Sequence, residues 1–332
     1  MGVRPGRTAA SLASHGRSWR PQLLGDSPEQ QGHGLPLLGA GYHAGGRVLR
    51  AVPPGFRHAV AAPCGAAWYW LNGGQRRAAL DNYAAALGLE RSDPEVARVA
   101  RRAFQNYGRM VLDFLLMGSL TPAELIERTT IDGLEHLDAA RSRGRGVILA
   151  LPHMGSWDNT GSYGGALGYP ITAVTGRFPG SLNDAIVQTR HRYGLQVLLV
   201  GRPAVREIIE ALKANRTVGL VCDQEEGPGA EVRFFGRLAV VPAGAAALAL
   251  KTGAALMPGY QYMTASGRHH IHLEPALSWP EGETKENLMQ RIVHRFEAFI
   301  RERPDQWFSF RPMFKAINEA PPHRRASAPE RG

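Results

Sequence analysis

Val147-Ile-Leu-Ala-Leu-Pro152-His153-Met-Gly155-Ser156-Trp157-Asp158 is the stretch from which the fold can be read. Five apolar residues without a polar interruption fit a strand buried on both faces. Pro152 stops it, His153 follows at its carboxyl end, and Ser156 is placed to cap a helix starting at Trp157. Open α/β sheets carry their chemistry at the carboxyl ends of strands. Asp158 falls in the first helical turn, where the helix dipole favours its ionised form. With His153 still in the loop, the imidazole can fold back onto that carboxylate. Asp158 would then hold one ring nitrogen protonated while the other accepts a proton as general base. A loop histidine beside a helix-capping acid is the plainer alternative.

The same texture repeats downstream. Short β-rich runs at Ile171–Val174, Val197–Val200 and Val218–Cys222 alternate with helical stretches near Trp157–Leu167, Asn183–Tyr193 and Ala204–Ala214. Strand candidates follow at Val232–Phe235, Leu256–Tyr262 and His269–Leu273, then a last helix near Lys285–Arg303. Such alternation predicts an α/β layered domain. Upstream, helices are expected near Gln75–Leu87 and from Asp93-Pro94-Glu95, a cap, a first-turn proline and an early acid. Between Tyr42 and Leu71 apolar and aromatic residues mix with Arg47, Arg50 and Arg57. That pattern suits either a membrane interface, with Trp68, Tyr69 and Trp70 as insertion groups, or packing on the core. Residues 1–35 read as a basic flexible arm, 36–316 as one α/β domain, and 317–332 as a disordered tail.

The chain has 332 residues, 44% hydrophobic and 20% charged, with a net charge of +10. This is a globular balance whose basic excess suits an anionic partner. No run reaches the roughly 18–20 apolar residues of a spanning helix, and no leader with an apolar core is expected. Cys64 and Cys222 are too few for a disulfide framework or a thiolate zinc site, which points to a reducing compartment.

Asp223-Gln224-Glu225-Glu226 ends another strand, and Glu231 follows a Gly-rich turn; either Asp223 or Glu231 can return to the His153 side. Arg177, and Arg190 on the helix that also carries Asn183, can hold a phosphate or a developing oxyanion. Other chemistries lack their motifs. Gly39-Ala-Gly41 has no acid about twenty residues on, Ser156 and Ser162 lack a nucleophile elbow, and no Walker loop or nucleic-acid module is present. His269, His270 and His272 read as an exposed strand without a third ligand, so no metal site is expected.

The blocks together resemble the bacterial lipid A biosynthesis (lauroyl/myristoyl) acyltransferase family, which includes the phosphatidylinositol mannoside acyltransferases. They are Pro152-His153-Met-Gly-Ser-Trp157-Asp158, Arg177…Asn183…Arg190-His-Arg-Tyr-Gly194, and Asp223-Gln224…Glu231-Val-Arg-Phe-Phe-Gly236. Val241-Pro242-Ala-Gly244 and Pro304-Asp-Gln306-Trp307-Phe308 continue the order, so the similarity runs from Tyr42 to Phe314. The resemblance implies a glycerolipid-acyltransferase-like fold, a mixed sheet flanked by helices, with membrane-associating helices near the N-terminus. It implies transfer of a fatty acyl chain from acyl-CoA or acyl carrier protein to a hydroxyl of a membrane glycolipid, a phosphatidylinositol mannoside or a lipid A precursor. No other cofactor is expected. Carried over by position, His153 is the base and Asp158 belongs to its motif. Glu231 is the imidazole's carboxylate partner, with Asp223 second, and Arg177, Asn183 and Arg190 line the substrate. The enzyme is expected on the cytoplasmic face of the inner membrane, held peripherally on anionic lipid. The alternative is an esterase or thioesterase using the same histidine on water. The stretch Ala243–Leu256 reads as core, or as the lining of an acyl groove.

Overall fold

The computed structural model describes residues 37–314 except 202, 203, 225–228 and 265. The basic arm and the tail expected from the sequence lie outside the described residues. Four helices come first: α1 (Leu37–Ala51), α2 (Pro54–Leu71), α3 (Gly73–Leu87) and α4 (Pro94–Met117). Asp93 caps α4 by accepting from the Glu95 amide at 2.8 Å, with Pro94 in the first turn. α2 lies on α4 because two glycines permit it. A Cβ at Gly65 would come within 2.1 Å of the Phe104 carbonyl oxygen, and one at Gly108 within 2.6 Å of that of Ala61.

After the short α5 (Pro122–Glu127) the chain alternates: β1 (Thr129–Asp132), α6 (Leu134–Arg141), β2 (Val147–Leu151), α7 (Trp157–Ala166), β3 (Ile171–Thr175), α8 (Ser181–Arg192), β4 (Gln196–Leu199), α9 (Ala204–Lys213) and β5 (Thr217–Val221). Then follow β6 (Gly229–Phe234), β7 (Arg237–Pro242), α10 (Gly244–Thr252), β8 (Ala255–Met263), β9 (His269–Leu273) and α11 (Lys285–Glu302), with a 3₁₀ turn at Pro304–Gln306. Seven strands form one sheet in the order β1-β9-β8-β2-β5-β3-β4, parallel except between β8 and β9. This is a mixed α/β sheet flanked by helices. β6 and β7 form a separate hairpin.

β2 is buried at all five positions, as its unbroken apolar run requires. Ile148 and Ala150 pack with Val218, Ile208 and Leu212 on one face, together with residues of α10 and α11. Val147, Leu149 and Leu151 face the other way, onto Leu137 of α6 and Tyr163 of α7. Apolar residues at 288, 292, 296 and 299 bury one side of α11, which Thr284 caps.

Three expectations need correction. β9 is not exposed; it lies between β1 and β8, and His269 is buried. Burial pushes its imidazole down to about 3, so it is neutral. Ala243–Leu256 is mostly helix α10 packed in the core, the plainer of its two readings, and Gly244 at its start lines a cavity. The strand placed at Val232–Phe235 ends one residue earlier, because Phe235 and Gly236 both take positive φ in a two-residue hairpin turn. Tyr69 is not an insertion group: it is buried against the Phe104 ring. Trp70 and Leu71 are exposed, and Phe56, Val60, Ala67 and Leu71 make an exposed apolar stripe along α2. Among the described residues, no helix is long and apolar enough to cross a membrane.

Candidate active site

The register of two central strands builds the site. β2 and β5 run parallel with Leu151 opposite Val221, and the Cys222 amide donates to the Leu151 carbonyl at 3.0 Å. Two residues further along each strand stand His153 and Asp223, side by side at the carboxyl edge of the sheet. His153 Nδ1 lies 2.6 Å from Asp223 Oδ1. The carboxylate is fully buried, while the imidazole is about one quarter exposed. Its second oxygen accepts from Trp307 Nε1 at 2.8 Å. With both oxygens engaged by donors, Asp223 fixes the proton on Nδ1 and leaves the lone pair on Nε2.

The loop carrying His153 is held by the segment after the 3₁₀ turn. Phe308 N donates to the His153 carbonyl at 2.8 Å, and Gly155 N donates to that of Gln306 at 2.9 Å. Met154 and Trp307 form an isolated bridge between these hydrogen bonds. Gly155 has φ +59, and a Cβ there would meet the Gln261 carbonyl at 2.3 Å, so only glycine fits. Trp307 is itself buried among Tyr83, Phe234 and Phe235, and the Tyr83 hydroxyl donates to its carbonyl.

The acids are therefore shared out differently from expectation. Asp158 does not meet the imidazole; its Oδ1 accepts from Arg190 Nε at 2.9 Å and Nη2 at 2.7 Å. Ser156 does cap α7, accepting from Asn159 N. Glu231, first choice as the imidazole's partner, is exposed on β6 opposite Val240, and the carboxylate on Nδ1 is Asp223. The reason is strand order: β5 adjoins β2, whereas β6 belongs to the hairpin. Arg190 is buried under the Phe178 ring, and its Nη1 has no hydrogen-bond partner. Asn183 is buried and accepts from Phe178 N at 3.3 Å, so it shapes the loop after β3. Arg177 is exposed on that loop.

His153, Asp158 and Arg190 stand on the wall of a cavity of about 690 Å³. Leu149, Leu151, Trp157 and Tyr163 make its adjoining walls apolar. That volume lies within the ~300–1,000 Å³ of small-molecule sites. Cys222 faces away into the core, and burial pushes its thiol well up, so it is no nucleophile. Among the described residues no group of three or more His, Cys, Asp or Glu is arranged to hold a metal. Gln306 and Trp307 stand in a sequence block that carries the family resemblance but had no role assigned, and Tyr83 carried no signal.

A partly exposed histidine paired with a buried aspartate at the carboxyl edge of the sheet, set on the wall of an apolar cavity, defines an α/β enzyme site with room for a hydrocarbon chain. The family model described as bacterial lipid A biosynthesis acyltransferase matches residues 38–316, and the chain belongs to that family. It is an acyltransferase. A phosphatidylinositol mannoside acyltransferase of Mycolicibacterium smegmatis is 32% identical over 297 residues, 85% of this chain and 94% of its own. One from Mycobacterium tuberculosis is 32% identical over 283 residues, 83% and 88% of the two chains. A lipid A biosynthesis acyltransferase of Haemophilus influenzae is 22% identical over 187 residues, 55% and 58%.

Proposed function

We propose that the protein transfers a fatty acyl chain from an acyl thioester, acyl-CoA or acyl carrier protein, to a hydroxyl of a phosphatidylinositol mannoside, with His153 as general base. The observation that carries this is the His153–Asp223 pair on the wall of an apolar cavity. A sugar hydroxyl is a poor nucleophile at neutral pH. Nε2 takes its proton as the oxygen attacks the thioester carbonyl, and Asp223 steadies the imidazolium. The tetrahedral oxyanion needs a donor, for which the unpaired Nη1 of Arg190 is the candidate. Collapse breaks the C–S bond, and the departing thiolate takes the proton back from the imidazolium. No acyl-enzyme, metal or further cofactor enters this scheme. The mannoside acceptor, rather than a lipid A precursor, is favoured by relatives of that name matching over 80% of the chain.

The purified protein, palmitoyl-CoA and phosphatidylinositol mannoside in anionic vesicles make the test. Acylated lipid is expected by mass spectrometry in step with released CoA. Free fatty acid in its place, unaffected by the acceptor, would establish the thioesterase alternative.

The same proposal places the enzyme peripherally on the cytoplasmic face of the inner membrane, through α1 and α2. Leu37, Val48, Phe56, Trp70 and Leu71 are exposed there beside Arg47 and Arg50. Interfacial rings and basic side chains, the latter worth about 1 kcal/mol each near anionic lipid, together give reversible binding. Phe56→Ser combined with Trp70→Ser and Leu71→Ser should cut co-sedimentation with anionic liposomes several-fold. Added salt should weaken wild-type binding without ending it. Equal sedimentation of variant and wild type would rule out this face.

A further inference from the structure

The ladder between β3 and β5 stops early. Its last pair is Ala173 with Gly219, whereas β2–β5 continues to Leu151 with Val221 and β3–β4 to Thr175 with Leu199. Two strands inside the sheet thus part over their final residues. Burial changes at the same level: Ile171, Thr172, Thr217 and Val218 are buried, but the last three residues of each strand are only half-buried. Side chains alternate between faces, so Ala173 and Gly219 look towards α7, while Val174 and Leu220 look towards α9. The 690 Å³ cavity is lined from both sets, and by Ala204, Val205 and Ile208 of α9. One continuous space therefore passes through the sheet where β3 and β5 separate.

Gly219 stands at the fork. Its backbone does not take positive φ, so the turn geometry that usually selects glycine is absent. A Cβ built there has nothing within 4 Å, so close packing does not select it either. What remains is the space itself, as expected where a strand glycine leaves room for a ligand. Gly161 and Gly164 of α7 line the same cavity.

The geometry points to Gly219 as the residue that sets acyl-chain length, with the distal part of the chain threading the β3/β5 fork to end against α9. This rests on the acyl-transfer reading above. Gly219 precedes Asp223 by four residues, about 13 Å of extended chain. An extended chain with ~1.5 Å bonds reaches it after about ten carbons. A side chain at 219 would then obstruct palmitoyl and spare decanoyl groups.

Wild type, Gly219→Ala, Gly219→Val and Val205→Trp would be assayed with decanoyl-CoA and palmitoyl-CoA on one acceptor. Gly219→Val is expected to lower the palmitoyl-to-decanoyl ratio of kcat/KM about ten-fold or more, with Gly219→Ala intermediate. Val205 is more than half exposed, so tryptophan there disturbs the core little while closing the α9 end; it should lower the ratio less. A wild-type ratio in a folded Gly219→Val protein overturns the inference. If that variant does not fold, a wild-type ratio in Val205→Trp overturns it. Failure of the wild type to transfer any acyl group would instead defeat the acyl-transfer reading and leave no chain to measure.

Discussion

His153→Ala is expected to lower acyl transfer by about 10³-fold or more, since the attacking hydroxyl loses the group that takes its proton. The chain should still fold, because the imidazole is partly exposed and the loop around it is held by main-chain hydrogen bonds to Gln306 and Phe308. One cost is foreseeable. The buried Asp223 keeps Trp307 but loses the imidazole, and an unmet buried acceptor costs about 1–3 kcal/mol. A modest fall in melting temperature beside that large loss of turnover is therefore the expected pair of readings. Wild-type turnover in the folded variant would remove His153 from the mechanism.

Asp223→Asn should lower kcat by about 10²–10⁴-fold with little change in KM. Trp307 can still donate to the amide oxygen, which then turns the amide nitrogen towards His153. An amide N–H facing Nδ1 makes that nitrogen the acceptor and shifts the ring proton to Nε2, where the base is needed. The loss would thus arise from the wrong tautomer, with packing preserved. Glu231→Gln is the control, and it should change kcat by no more than a few-fold, as usual for an exposed strand residue. If Glu231→Gln gives the large loss and Asp223→Asn does not, the carboxylate assignment reverses.

Much of the central layer was legible because its signals are local. The unbroken run Val147–Leu151, the cap at Ser156 and the Asp93-Pro94-Glu95 start correspond to β2, α7 and α4. β1 and β7 were not legible. β1 has only four residues at the sheet edge, and β7 exists by pairing with β6 across a turn with positive φ at Phe235. For the site, His153 could be singled out by its place after a buried strand. Its partner could not be chosen, since Asp158, Asp223 and Glu231 all lie near strand or helix ends. Only strand order, with β5 adjoining β2, distinguishes them. Trp307 was further out of reach, because nothing in a Gln-Trp-Phe segment specifies contact with an aspartate 84 residues earlier.

That same contact constrains when the enzyme becomes competent during synthesis. Asp223 lies 70 residues after His153, and Trp307 another 84 after that. The loop bearing the base is clamped by residues 306–308, so a nascent chain that has emerged as far as Asp223 has its histidine and aspartate but not that part of the frame. Long-range pairings of this kind are slow to form. On the acyl-transfer reading, a chain that ends before Gln306 lacks the Trp307 donor to Asp223 and the main-chain clamp on the His153 loop, and so lacks the ordered centre that would cleave an acyl donor.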